Sequence, residues 1–204
     1  MSVLLRSFIL FLLLCGSALA RPVLVLGDSL SAEHNLPRGS GWVALLEDRL
    51  QREFDQPPEV VNASISGETS AGALRRLPAL LAEHRPGVVV VGLGGNDGLR
   101  GLPPAQLRDN LGRIVTLSRA AGARVLLLGI DLPPNYGAAY RRRFTAVYHD
   151  LAREHGVALL PFLLEGVALA PGLMQADGVH PTAAAQRRLL ENVWPKLQPL
   201  LARP

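Results

Sequence analysis

Five short, mostly apolar runs alternate with longer stretches of helical spacing along the 204-residue chain. Residues 22–26, 59–62, 88–93, 125–129 and 157–160 read as strands. A run such as Val88-Val89-Val90-Val91 lacks the polar alternation of a strand with one wet face, so it is expected to be buried on both sides. Residues 42–54 repeat apolar side chains at Trp42, Leu45, Leu46 and Leu50, the spacing of one helix face. Further helices are predicted over 69–84, 106–121, 140–155 and 182–197. Thr69 or Ser70 is a candidate N-cap, Gly122 and Gly156 are stop signals, and Pro78 threatens to kink or split the second helix. Buried strands separated by helices predict an α/β fold: a doubly wound (flavodoxin-like) three-layer sandwich around a five-stranded parallel sheet. Such sheets place ligands at the carboxyl ends of their strands. No repeat or linker interrupts residues 21–204, which are read as one domain.

Composition sharpens this picture. Hydrophobic residues make up 49% of the chain but aromatics only 5%, so the core must rest on Leu, Val, Ile and Ala. The formal charge of +4 is carried almost wholly by arginine, Lys196 being the only lysine. The one tight basic run, Arg141-Arg142-Arg143, is too short for the stripe that a nucleic-acid binder displays, and no nucleic-acid partner is expected. At the N-terminus, Arg6 precedes an apolar stretch over residues 8–14, too short to span a bilayer, and Ala18-Leu19-Ala20 matches a small-x-small cleavage site. Residues 1–20 therefore read as a secretory signal peptide, with Arg21 as the new N-terminus and no stable membrane anchor after cleavage. Cys15 lacks the small preceding residue of a lipid-attachment site, because Leu14 stands there. Its removal leaves no cysteine, so a periplasmic or secreted protein must be stabilised by its core alone.

Candidate chemistry clusters after the predicted strands. The first strand runs into Gly27-Asp28-Ser29-Leu30, a sharp turn that would put the Ser29 hydroxyl at the sheet edge, near a helix N-terminus. After the second comes Gly67, able to offer an unhindered backbone N–H. After the third comes Gly94-Gly95-Asn96-Asp97-Gly98, in which Asn96 can aim an amide N–H at an oxyanion. Asp177-Gly178-Val179-His180 precedes the last helix, and this spacing can set a carboxylate beside His Nδ1. Each motif alone is also an ordinary turn. His34 is close enough to Ser29 in sequence to border a shared pocket, whereas His84, His149 and His155 fall on polar helix faces. No His-x-x-x-His pair, Walker loop or Gly-x-Gly-x-x-Gly follows a strand, so neither a metal nor another cofactor is expected.

Taken together and in order, Gly27-Asp28-Ser29-Leu30, Gly67, Gly94-x-Asn96-Asp97 and Asp177-x-x-His180 resemble the four blocks of the SGNH (GDSL) hydrolases. The segments 62–67, 93–101 and 132–137 are similar to the bacterial thioesterase I / lysophospholipase / arylesterase subgroup. The resemblance implies a catalytic triad of Ser29, His180 and Asp177. It also implies an oxyanion hole made by the Ser29 and Gly67 N–H groups and the Asn96 side chain. Leu30, Leu99, Leu132 and Pro133 are then expected as apolar wall, with residues 98–101 a mobile rim. Glu33-His34 departs from the small residue expected after the first block. The implied substrates are small-molecule acyl esters or thioesters, hydrolysed by a monomer. A carbohydrate O-acetylesterase is the alternative enzyme, with Trp42 and Tyr136 as its candidate sugar-stacking aromatics; a binding module is the non-enzymatic one.

Overall fold

The computed structural model describes residues 20–201; the expected leader, apart from Ala20, lies outside them together with Cys15. Strands β1 (Val23–Gly27), β2 (Val60–Asn62), β3 (Val88–Gly92), β4 (Arg124–Leu128) and β5 (Ala158–Leu160) form one sheet in the order β2-β1-β3-β4-β5, every pairing parallel. All residues of β1 and β3 are buried, as unbroken valine and leucine runs require. Helices α1 (Trp42–Glu53) and α6 (Gln186–Leu201) pack together over one face. Helices α2 (Ser70–His84), α4 (Pro104–Ala120) and α5 (Ala138–His155) cover the other, giving the expected doubly wound sandwich. Among the described residues, no helix is long and apolar enough to cross a membrane.

Three local expectations are corrected. The glycine-rich segment after β3 is not merely a turn but a short helix, α3 (Gly95–Leu99). Pro78 does not split α2, and α6 runs through Pro195 and Pro199. All three prolines lie on exposed faces, where water can serve the carbonyl that loses its N–H partner. Finally, Ser29 does not head a helix: it sits in a single turn, and α1 begins only at Trp42. Chain direction across the sheet reverses between β1 and β3, so the crevice outside their carboxyl ends is where this topology offers a site.

Candidate active site

At the end of β1 the backbone must pass extremely close to its neighbours. A Cβ on Gly27 would stand 2.8 Å from Ser64 Oγ and 2.9 Å from Ser31 Oγ, so only glycine fits without a shift. The next residue fixes the turn. Asp28 O accepts the Ser31 and Ala32 N–H groups at 3.1 and 3.0 Å, and Asp28 Oδ1 accepts the Leu30 N–H at 3.0 Å. Between these bonds Ser29 is left half-buried, facing the crevice. Asp28 itself is buried, and that desolvation pushes its carboxyl up to about 6, against the pull of the Leu30 N–H.

The opposing group arrives on a loop. Asp177 Oδ1 accepts the N–H groups of Val179 (2.9 Å) and His180 (3.0 Å), closing a tight turn for which Gly178 adopts a φ of +67°. Asp177 Oδ2 then lies 2.7 Å from His180 Nδ1, and His180 Nε2 lies 2.9 Å from Ser29 Oγ. The backbone N–H and ring of His180 hold the Asp177 carboxyl down to about 2, so it stays ionised at any ordinary pH. With the carboxylate accepting Nδ1–H, the Nε2 lone pair faces the Ser29 hydroxyl, a tautomer assigned from the network. Gln175, which carried no motif, fastens this loop: its backbone N–H donates to His180 O at 2.7 Å, and its Nε2 donates to His34 O and Pro181 O. The His34 ring lies 4.3 Å from that of His180, while Glu33 receives the Gly39 and Gly41 N–H groups. Of the unexpected Glu33-His34 pair, His34 thus contacts the loop that carries His180, while Glu33 closes its own segment onto Gly39 and Gly41.

Asn96 enters from α3, whose cap Gly94 has a φ of +119° and passes so near Tyr148 that a Cβ would clash with its hydroxyl. Buried Asp97 ties α3 to the start of α2 by accepting the Ser70 N–H (2.9 Å) and Oγ–H (2.5 Å). One Asn96 amide proton goes to Glu68 O at 3.0 Å, leaving the second for the crevice that Asn96 lines. Gly67, at a φ of +81°, is exposed and outside the cavity lining. Neither its N–H nor that of Ser29 has a protein acceptor among the described residues.

A cavity of about 430 Å³ opens from Ser29, Asn96 and His180. Leu30, Leu99, Leu132 and Pro133 all line it, joined by Phe162, Leu164 and others that no motif flagged. Leu99 and its neighbours are restrained: Tyr136 donates to Leu99 O, Tyr140 to Leu102 O, and Arg100 to Gly67 O. Trp42 is fully buried, with its indole N–H on Leu30 O, and Tyr136 is not on the lining, so neither aromatic offers a sugar platform there. Asp131 and Arg141, paired with each other, interrupt the apolar lining that Leu132, Pro133 and Pro134 contribute.

Several known proteins are similar to this chain. The GDSL-like Lipase/Acylhydrolase family pattern matches residues 25–188. The chain is 57% identical to "Esterase TesA" of Pseudomonas aeruginosa, over 98% of this chain and 99% of that one. It is 48% identical to "Thioesterase 1/protease 1/lysophospholipase L1" of Escherichia coli strain K12, over 94% and 90% respectively. A solved structure, "Crystal Structure of TesA", superposes with a TM-score of 0.86 at 59% identity, covering 88% of this chain and 99% of that one.

Proposed function

Because the chain belongs to the GDSL-like lipase/acylhydrolase family and is an ester and thioester hydrolase of the SGNH type, we propose that Ser29 is its nucleophile, His180 its general base and Asp177 the group that orients the base. The observation that carries this reading is the unbroken chain of contacts from Asp177 Oδ2 to His180 Nδ1 (2.7 Å) and from His180 Nε2 to Ser29 Oγ (2.9 Å).

Ser29 attacks the acyl carbonyl as its proton passes to His180 Nε2. Ionised Asp177 holds the Nδ1 proton and stabilises the imidazolium that forms. Negative charge gathers on the former carbonyl oxygen, where the Ser29 and Gly67 N–H groups and the spare Asn96 amide proton receive it. His180 then protonates the departing alcohol or thiol, and water releases the acyl group by the same steps in reverse roles. The apolar cavity takes the acyl chain, with Leu30, Leu99, Leu132 and Pro133 as walls. Every group in this scheme comes from one chain, so the reaction requires no second copy. The Arg6, apolar and Ala18-Leu19-Ala20 pattern supports export to the periplasm or beyond.

A fluorophosphonate probe should label the purified protein at Ser29, and Ser29→Ala should abolish labelling. His180→Ala should lower hydrolysis of p-nitrophenyl and acyl-CoA substrates by about 10⁵–10⁶. Substantial turnover in that variant would mean that another residue is the base.

A further inference from the structure

The lining of the cavity contains an ion pair that the chemistry above does not use. Asp131 leaves the end of β4 and Arg141 stands in the first turn of α5. Arg141 Nε donates to Asp131 Oδ1 at 3.1 Å, and Nη2 donates to Asp131 Oδ2. Asp131 Oδ1 also accepts the Leu132 N–H at 2.7 Å. The pair is two-thirds covered, with side-chain exposures of 30% and 32%, and both residues line the cavity among Leu132, Pro133, Pro134 and Phe162. Arg141 Nη1 has no protein partner among the described residues. Asp131 follows β4 and Arg141 lies on α5, so the pair enters the cavity from elements other than the β1 turn that carries Ser29.

We propose that the Asp131–Arg141 pair determines which acyl groups the pocket accepts. It favours chains that end before it, or that present a hydroxyl or carbonyl oxygen where they meet it, and selects against longer plain alkyl chains. This deepens the functional reading above and rests on it. Short of the pair, each methylene leaves water for an apolar wall and gains affinity. At the pair, the next methylene must strip water from two charges and offers nothing in return. An oxygen on the chain restores the balance by accepting from Arg141 Nη1, which no protein acceptor occupies among the described residues.

The test is kcat/KM on p-nitrophenyl esters from butyryl to palmitoyl, expressed as the long-to-short ratio. In the Asp131→Leu/Arg141→Leu variant the ratio should rise by about fourfold for each methylene that passes the pair, the worth of one buried CH₂. Arg141→Met strands the Asp131 carboxylate and should push the ratio below that of the unsubstituted protein. Opposite movement is the signature, because simple damage to the wall would shift both variants the same way. Movement in one direction, or profiles that superimpose on the original, overturns the proposal. Should the double leucine variant fail to fold, the reversed pair Asp131→Arg/Arg141→Asp takes its place. An unchanged long-to-short ratio there, with the Arg141→Met drop, supports the proposal; a changed ratio there overturns it. A hydroxyacyl ester whose hydroxyl reaches the pair should outrun the plain ester of equal length, and should lose that lead in Arg141→Met. Fluorophosphonate labelling of the unsubstituted protein separates the two readings. No labelling removes the serine mechanism itself, whereas a labelled enzyme with an unmoved chain-length profile removes only the role of the pair.

Discussion

The turn that carries Ser29 and the turn that carries Asp177 and His180 meet at 2.9 Å, yet they are held in place by different means. Ser29 follows a fully buried strand; Asp28 and Leu30 on either side of it are buried, and Trp42 reaches over from α1 to bond Leu30 O. Asp177 is 41% exposed at its side chain and stands on a loop with few apolar anchors, its geometry set by hydrogen bonds within four residues and by Gln175. The nucleophile half is therefore preorganised by the core, and the base half by a local network that could be dismantled without unfolding the domain. Where stability and activity are carried by different contacts, substitutions should separate them.

The largest separation is expected at Asp177. Asp177→Asn keeps the shape of the turn but removes the charge and permits the wrong imidazole tautomer, so kcat should fall about 10⁴-fold. The melting temperature should barely move, because the residue is exposed; a large thermal loss would mean that the loop is part of the folding core after all. Asp177 sits far below the usual carboxylate range, so its stabilising contribution is present above about pH 4 and is lost only as pH falls through 2. Activity lost at mildly acidic pH should therefore not come from protonation of Asp177.

Asn96→Ala should follow, at about 10²–10³ in kcat with a smaller change in KM, the cost of one preorganised oxyanion donor. Measuring kcat, KM and melting temperature together decides between an oxyanion donor and a tie to Glu68 O. Near-normal kcat in a folded variant would take Asn96 out of the site.

On the nucleophile side, Asp28 should reveal the opposite trade. Its folded value of about 6 lies above the unfolded one near 4, so its stabilising effect is full below pH 4 and lost as pH rises through 6. Asp28→Asn retains an acceptor for the Leu30 N–H without a buried charge. It should raise the melting temperature at neutral pH, by at most roughly 3 kcal/mol of stability, with the gain vanishing near pH 4. A gain independent of pH would show that the carboxylate is not the source of the cost. The smallest effect is expected at Leu99→Ala, about tenfold in kcat/KM for medium-length acyl esters and less for acetyl esters, because only a few apolar contacts are lost. Equal losses across the series would place Leu99 outside the acyl wall.

Much of this could be read along the chain. Buried parallel strands have no wet face to alternate with, so β1 and β3 announce themselves as valine and leucine runs. The Asp177–His180 turn is legible for a different reason: its bonds span three residues, and short-range geometry is a property of local sequence. What was not legible is what depends on distant partners. Gly95–Leu99 contains two glycines and reads as a turn, yet becomes α3 because Ser70, Tyr136 and Tyr148 bond to it and its flanks from other elements. Pro78 reads as a break, yet α2 continues because the face bearing it turns to water. Asp131 drew no notice and Arg141 figured only in a basic run, since the two gain meaning only when the wall of the cavity brings them together.

By itself, then, the sequence determined the sheet, its two helical layers, and the order in which Ser29, Gly67, Asn96, Asp177 and His180 appear at strand ends, because burial period and turn chemistry act over a few residues. Only the tertiary structure decided that Ser29 and His180, 151 positions apart, stand within a hydrogen bond of each other, and that a charged pair interrupts an apolar pocket. Such contacts depend on how strands are ordered and loops return, and that packing is settled by the whole core at once.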